Sequence, residues 1–237
     1  MDLKITPESL KTFKDKDSKQ PRFRELYEQK SFIDAYAAHT DLRVADNPKG
    51  AIGREDEWES HGKLQLAFLV ARGLKPEHML LDLGCGVGRA ARRFVPYLEK
   101  GHYLGVDISE AALAHARQLA AEEGWAEQGP VFLQNAGLDL PEFSRGFHFI
   151  WAHSVFTHLP PQQIESMVAN IARLLVPGGN FLFTYKKADS PQRSGLKQFQ
   201  YPPKYFWDVA KANGLVGTPL PDQWPAGQLT YSMKRPA

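Results

Sequence analysis

The chain has 237 residues, 43% of them hydrophobic and 24% charged, which is enough to bury one sizeable core and excludes a disordered polypeptide. Its net charge of +2 arises from 29 Lys and Arg against 27 Asp and Glu, interspersed rather than blocked, so charge demands neither nucleic acid nor an anionic membrane as partner. The single cysteine, Cys85, excludes an intramolecular disulfide, and the charged N-terminus and absence of any run near membrane-span length make the sequence read as cytoplasmic.

Residues 1–21 mix Lys, Asp, Ser and Gln with few apolar anchors and read as a mobile segment. From Phe23 to about His39, Phe23, Leu26, Tyr27, Phe32, Ile33 and Tyr36 recur at helical spacing. The link ADNPKGAIGRED follows, and then a second helix from about Glu55 to Arg72, with Gly73 as its stop. Residues 22–73 therefore read as a helical cap that packs on the core or covers a site, ahead of a main domain at 74–237.

After Gly73, short apolar runs alternate with helix-like runs, the pattern of an α/β fold with a mainly parallel sheet. The predicted strands are MLLDL (79–83), HYLGVD (102–107), VFLQN (131–135), FHFIWAH (147–153) and NFLFTYK (180–186). In SEAALAHARQLAAEEG, Ser109 caps the start and Gly124 the end of a helix. A second helix lies between the prolines at 160–161 and VPGGN, and PPKYFWDVAKANG forms a last one before two short strands near 215–216 and 229–234.

LLDLGCGVGRAARRF is the segment that points to a ligand. Strand, glycines and helix in succession bring backbone N–H groups close to a bound molecule, and Gly86 to Ala91 also satisfy one version of the dinucleotide fingerprint. Asp107 ends the next strand about 25 residues after Asp82, where an acid accepts hydrogen bonds from the ribose hydroxyls of either cofactor type. Asp82 discriminates: an acid at the mouth of the turn repels a pyrophosphate and attracts an ammonium or sulfonium group, unless it simply buttresses the turn.

LLDLGCGVG resembles the first motif of class I S-adenosylmethionine-dependent methyltransferases, with GVDIS as the second-strand motif, FHFIWAHSVFTHLP as the fourth-strand region and LLVPGGNFLFT as the turn and fifth strand. The order is right over about residues 74 to 186. HTDLRV, SVFTHLP and WPAGQ are further similar to small bacterial members associated with glycan or secondary-metabolite assembly. The resemblance implies a Rossmann-like seven-stranded, mostly parallel sheet with helices on both faces and a final antiparallel strand from LTYSMKR, with the N-terminal helices as a lid. It implies S-adenosylmethionine as cofactor and S-adenosylhomocysteine as product.

Carried over by residue, Gly84, Gly86 and Gly88, with Cys85 among them, line the methionine and ribose portions, and Asp82 lies near the amino group. Asp107 binds the ribose hydroxyls, Ile108 packs on adenine, and Asn135 with Ala136 meets the adenine amino group, although the family often has an acid at the Asn135 position. The Cys85 side chain reads as a small buried filler, His148 as a solvent-facing strand residue, and Arg89, Arg92 and Arg93 as the solvated face of a helix.

Methyl transfer from a sulfonium is an in-line displacement that needs alignment and exclusion of water, and a hydroxyl acceptor also needs a base. His153, which also borders the cofactor, and His158 are the base candidates, Tyr185 is an orienting group, and Glu57, Trp58 and His61 are candidate acceptor-binding residues. No residue spacing indicates zinc or magnesium, so a metal-independent enzyme is expected. The expected acceptor is a small molecule or glycan, methylated at oxygen, rather than nucleic acid. The competing readings are an NAD-dependent oxidoreductase and a catalytically silent cofactor-binding module.

Overall fold

The computed structural model describes residues 17–51, 55–140 and 146–237. Of the segment 1–21, residues 1–16 lie outside that set; Asp17–Lys19 form a single 3-10 turn in which Asp17 is buried, 3.7 Å from Lys197. The predicted helix from Phe23 to His39 is two helices, α1 (Pro21–Gln29) and α2 (Phe32–Asp46). Ser31 explains the break: its hydroxyl accepts the Asp34 N–H at 3.2 Å and donates to the Asp34 carboxylate at 2.7 Å, so a new helix starts there. A short α3 (Pro48–Ala51) and the longer α4 (Trp58–Ala71) complete the N-terminal helices.

The sheet has seven strands: β1 (Leu80–Leu83), β2 (Tyr103–Asp107), β3 (Val131–Gln134), β4 (Phe147–Ala152), β5 (Leu175–Tyr185), β8 (Val216–Trp224) and β9 (Gln228–Lys234). Their order is β3-β2-β1-β4-β5-β9-β8. β1, β2 and β3 pair in parallel, and β9 runs antiparallel to both β5 and β8. The fold is thus the expected Rossmann-like α/β arrangement. β1 and β2 are buried along their whole length, which is why they read as continuous apolar runs rather than alternating ones.

Two strand expectations change. β8 has nine residues, Pro219 and Pro221 among them, where the sequence reads only a short strand near 215–216. It lies last in the sheet order, and an edge strand tolerates prolines because half of its backbone groups have no neighbour to pair with. β5 begins at Leu175 rather than 180, with the Gly178 N–H donating to the Arg235 carbonyl at 3.1 Å. A small hairpin, β6 (Gln192–Ser194) with β7 (Gln198–Gln200), is too short and polar to show in the sequence.

Contacts divide the chain into two compact units. One comprises Ala37–Ala136 with Phe147–Phe149. Its helices α5 (Ala91–Tyr97) and α6 (Glu110–Glu122) follow β1 and β2, and α6 is capped by Ser109, whose hydroxyl accepts the Ala112 N–H at 3.1 Å. The other comprises Met1–Tyr36, Gly137–Gly146 and Ile150–Ala237. There α7 (Pro161–Leu174) buries Ile164, Met167, Val168 and Ile171, and α8 (Pro203–Ala212) sends Phe206 into an aromatic core with Phe156, Phe183 and Tyr231.

Candidate functional site

In the first unit the chain leaves β1 through three glycines with positive φ: Gly84 (72°), Gly86 (55°) and Gly88 (90°). Such angles are strained for any residue with a side chain. The turn folds back on β2, with Gly84 and Cys85 N–H both donating to the Val106 carbonyl at 2.7 and 3.1 Å. Gly88 also permits close helix packing, because a Cβ there would sit 3.3 Å from the Ala116 Cβ.

Asp107, at the end of β2, is the centre of this arrangement. One carboxylate oxygen accepts the Gly86 N–H at 2.8 Å and the other accepts the Ser109 N–H at 2.9 Å. Each oxygen has a second lone pair, so the carboxylate is oriented yet still able to accept from two adjacent hydroxyls. Burial pushes its pKa up, and the backbone hydrogen bonds oppose that shift. The Asn135 N–H donates to the Asp107 carbonyl at 3.0 Å, which brings Asn135 and the exposed Ala136 beside Asp107 and the half-buried Ile108 at the ends of β2 and β3.

Asp82 lies within β1, 3% exposed, and accepts the Tyr103 hydroxyl at 2.8 Å. Burial raises its pKa to about 7, with the Tyr103 hydrogen bond and Arg89 pulling the other way. A carboxyl so poorly solvated gains from any added positive charge. Cys85 is buried, and burial together with Asp107 and Asp82 raises its thiol pKa well above the ordinary value. It is a protonated filler, packed so closely that a Cβ on Gly105 would fall 2.9 Å from its sulfur.

Sequence reasoning put Arg89 with Arg92 and Arg93 on a solvated face, and the structure separates them. Arg92 and Arg93 pair with Glu59, and Arg92 also with Glu123 at 2.8 Å, whereas Arg89 is buried and feels Asp82 and Glu57. Glu57, Trp58 and His61 stand at the start of α4, and Gly62 beside them lets the helix approach so closely that a Cβ would be 2.7 Å from the Arg89 carbonyl. Trp58 is buried, and His61 is held neutral, its pKa lowered to about 4 by burial and by Arg89. His148 is not a solvent-facing residue either: its Nδ1 accepts the Met79 N–H at 3.1 Å and its ring stacks on His78 at 4.7 Å.

In the second unit, His153 follows β4 with its ring 4.9 Å from Trp224 and 5.9 Å from Trp151. The next residue, Ser154, has φ +62°, a strained value for serine. A network missed in the sequence holds it there. The Ser154 N–H donates to the Thr184 hydroxyl at 2.8 Å, Thr184 donates to the Gln228 amide oxygen at 2.5 Å, and the Gln228 amide returns to the Ser154 hydroxyl. His158 bonds the Lys197 carbonyl through Nδ1 at 2.8 Å, which puts the neutral ring's proton on Nδ1 and its lone pair on Nε2. Tyr185 is 1% exposed, packed on Phe206 at 5.0 Å, and belongs to the aromatic core of its unit.

No group of three or more His, Cys, Asp or Glu among the described residues is arranged to hold a metal ion, and no described helix is long and apolar enough to cross a membrane. The family description "Methyltransferase domain" matches residues 80–179. The chain is 33% identical over 127 residues to the sterol 24-C-methyltransferase ERG6B of Gibberella zeae, covering 53% of this chain and 32% of that protein. It is 30% identical over 110 residues to the magnesium-protoporphyrin O-methyltransferase of Synechocystis, covering 46% and 45% respectively. The chain thus spans less than half the length of either curated relative. The fold is similar to that of the solved magnesium protoporphyrin IX methyltransferase of Synechocystis with bound S-adenosylmethionine, at TM-score 0.59 and 18% identity over 90% of this chain and 89% of that one.

Proposed function

We propose that this chain carries a class I S-adenosylmethionine-dependent methyltransferase domain, supported by the family match over residues 80–179 and by the fold, and that it transfers the methyl group to a small-molecule or sugar-containing acceptor, at oxygen. The observation that carries the reading is the pair of buried carboxyls at the glycine turn. Asp107 keeps one accepting direction on each oxygen for a ribose diol, and Asp82 offers a desolvated negative charge to the cofactor's amino group. A pyrophosphate would have to enter beside Asp82, which argues against NAD.

The cofactor supplies an activated methyl group on a positively charged sulfur. In this proposal Gly84, Cys85, Gly86 and Gly88 present backbone to it, while Ile108, Asn135 and Ala136 meet its base. His153 and His158 are the groups that take the acceptor's proton. The rigid loop at Ser154 supports His153 in that role, because a base must be held within hydrogen-bond reach of the proton it removes. Residues 22–73 serve as the cap, with Glu57, Trp58 and His61 shaping the acceptor's environment, and 74–237 as the catalytic domain.

Calorimetric titration with S-adenosylhomocysteine and, separately, NAD tests the cofactor half. We expect saturable binding of the first alone, weakened by about 1–3 kcal/mol in Asp107→Ala through loss of charged hydrogen bonds. Binding of NAD alone, or an Asp107→Ala protein that folds and binds unchanged, rejects the reading. A screen of alcohol, amine and sugar acceptors with labelled methyl donor then tests the transfer and the atom methylated.

A further inference from the structure

The first unit contains an acid that neither the glycine turn nor the base candidates use. Asp41, half-buried on α2, accepts the Ser109 hydroxyl at 2.5 Å and the Ala111 N–H at 3.4 Å. Ser109 is fully buried and already caps α6 by accepting the Ala112 N–H at 3.1 Å. The helix therefore does not need a further cap to begin. What Asp41 adds is direction: a serine hydroxyl has one proton, and Asp41 receives it. The same serine's N–H holds one oxygen of Asp107 at 2.9 Å while Gly86 holds the other at 2.8 Å. Ser109 thus links α2 to the acid at the end of β2, its hydroxyl bonded to Asp41 and its N–H to Asp107.

We propose that Asp41 is a cofactor-positioning residue, which through Ser109 fixes the Asp107 carboxylate in the orientation that accepts a vicinal diol. The inference rests on the reading that Asp107 holds the cofactor's ribose. Placing a second acid near Asp107 has an electrostatic cost, because its charge makes the Asp107 proton harder to remove. The other titratable groups that act on Asp107 or feel it are Asp82 from β1, Cys85 from the turn and Tyr103 from its own strand. Binding of a diol should weaken as pH falls and Asp107 takes up its proton. Removing the Asp41 charge should move that acid limb to lower pH.

The test is calorimetric titration of the full chain with S-adenosylhomocysteine over a pH series, in wild type, Asp41→Asn, Asp41→Ala, Ser109→Ala and the Asp41→Ala/Ser109→Ala double variant, with Asp107→Ala as control. Asp41→Ala should raise the Kd about three- to tenfold, the range expected for one lost hydrogen bond. The double variant should bind no more weakly than Ser109→Ala, because Asp41 acts through Ser109. Asp41→Asn keeps an oxygen acceptor without the charge, so it should lose less affinity than Asp41→Ala at neutral pH and show the shifted acid limb. If wild type binds and Asp107→Ala binds poorly, but the folded Asp41 variants match wild type in Kd and acid limb and lose only melting temperature, Asp41 merely staples α2 to α6 and the proposal fails alone. A wild type that does not bind, or an indifferent Asp107→Ala, overturns the parent reading and this inference with it.

Discussion

The ends of β2 and β4 hold their candidate site residues by different means. At β2, Asp107 is oriented by the N–H groups of Gly86 and Ser109, one of them only two residues away. At β4, the loop that carries His153 depends on Ser154, Thr184 and Gln228, separated by 30 and 44 positions in the chain, and on a strained φ at Ser154. The first end is built from backbone groups whose placement follows from glycine conformations and strand pairing. The second is built from side-chain hydroxyls and amides that meet only when β4, β5 and β9 are assembled. On the proposed reading, the β2 end serves the cofactor, which presents the same atoms in every turnover and suits the local device. On the same reading, an acceptor site at the β4 end, made of dispersed side chains, can change by substitution without disturbing the turn.

Four substitutions break or sharpen this contrast. The largest effect is expected for His153→Ala, which should lower methyl transfer to a hydroxyl acceptor about 10²–10⁴-fold while leaving S-adenosylhomocysteine affinity intact; steady-state rates and calorimetry on the same protein read both. Thr184→Val keeps the side chain's volume but removes the acceptor for the Ser154 N–H and the donor to Gln228. It should cost about 1–3 kcal/mol of folding stability in denaturant melts, with the Asp107 end unaffected.

Asp82→Asn probes the other end through pH. The Asp82 pKa is raised in the folded protein from the ordinary 3.8 to about 7, so this group's contribution to stability is complete at low pH and is lost as pH rises through about 7. The cofactor-free Asn variant should therefore gain melting temperature relative to wild type as pH is raised from acid to neutral, and a flat difference would refute the shift. Lys204→Ala is the smallest. Its pair with Asp208 on α8 lies in the open, with exposures of 76% and 52%, and the variant should change stability by no more than about 0.5 kcal/mol in the same melts.

Periodicity and turn chemistry made much of the fold legible. The five strands predicted between 79 and 186 all form, with ends shifted by a residue or two except at β5, and Ser109 caps α6 where its sequence position indicated. Asp82, the three glycines and Asp107 could be read together because they belong to one strand-turn-helix and the next strand end. Arg89 was misplaced because helical periodicity cannot see α4 folding over it through the close approach of Gly62. The sequence shows only a short strand at β8; the full strand tolerates Pro219 and Pro221 because it is a sheet edge, and which strand is the edge is a property of the sheet order.

By itself, then, the sequence determined the elements, the glycine turn and the acids that flank it, all of which depend on φ preferences, capping and apolar runs acting over a few residues. Only the tertiary structure decided that Asp41 reaches Ser109 across 68 positions and that Gln228 reaches Ser154 across 74. Such contacts depend on the packing of distant segments, and no short-range preference of the chain encodes their distance.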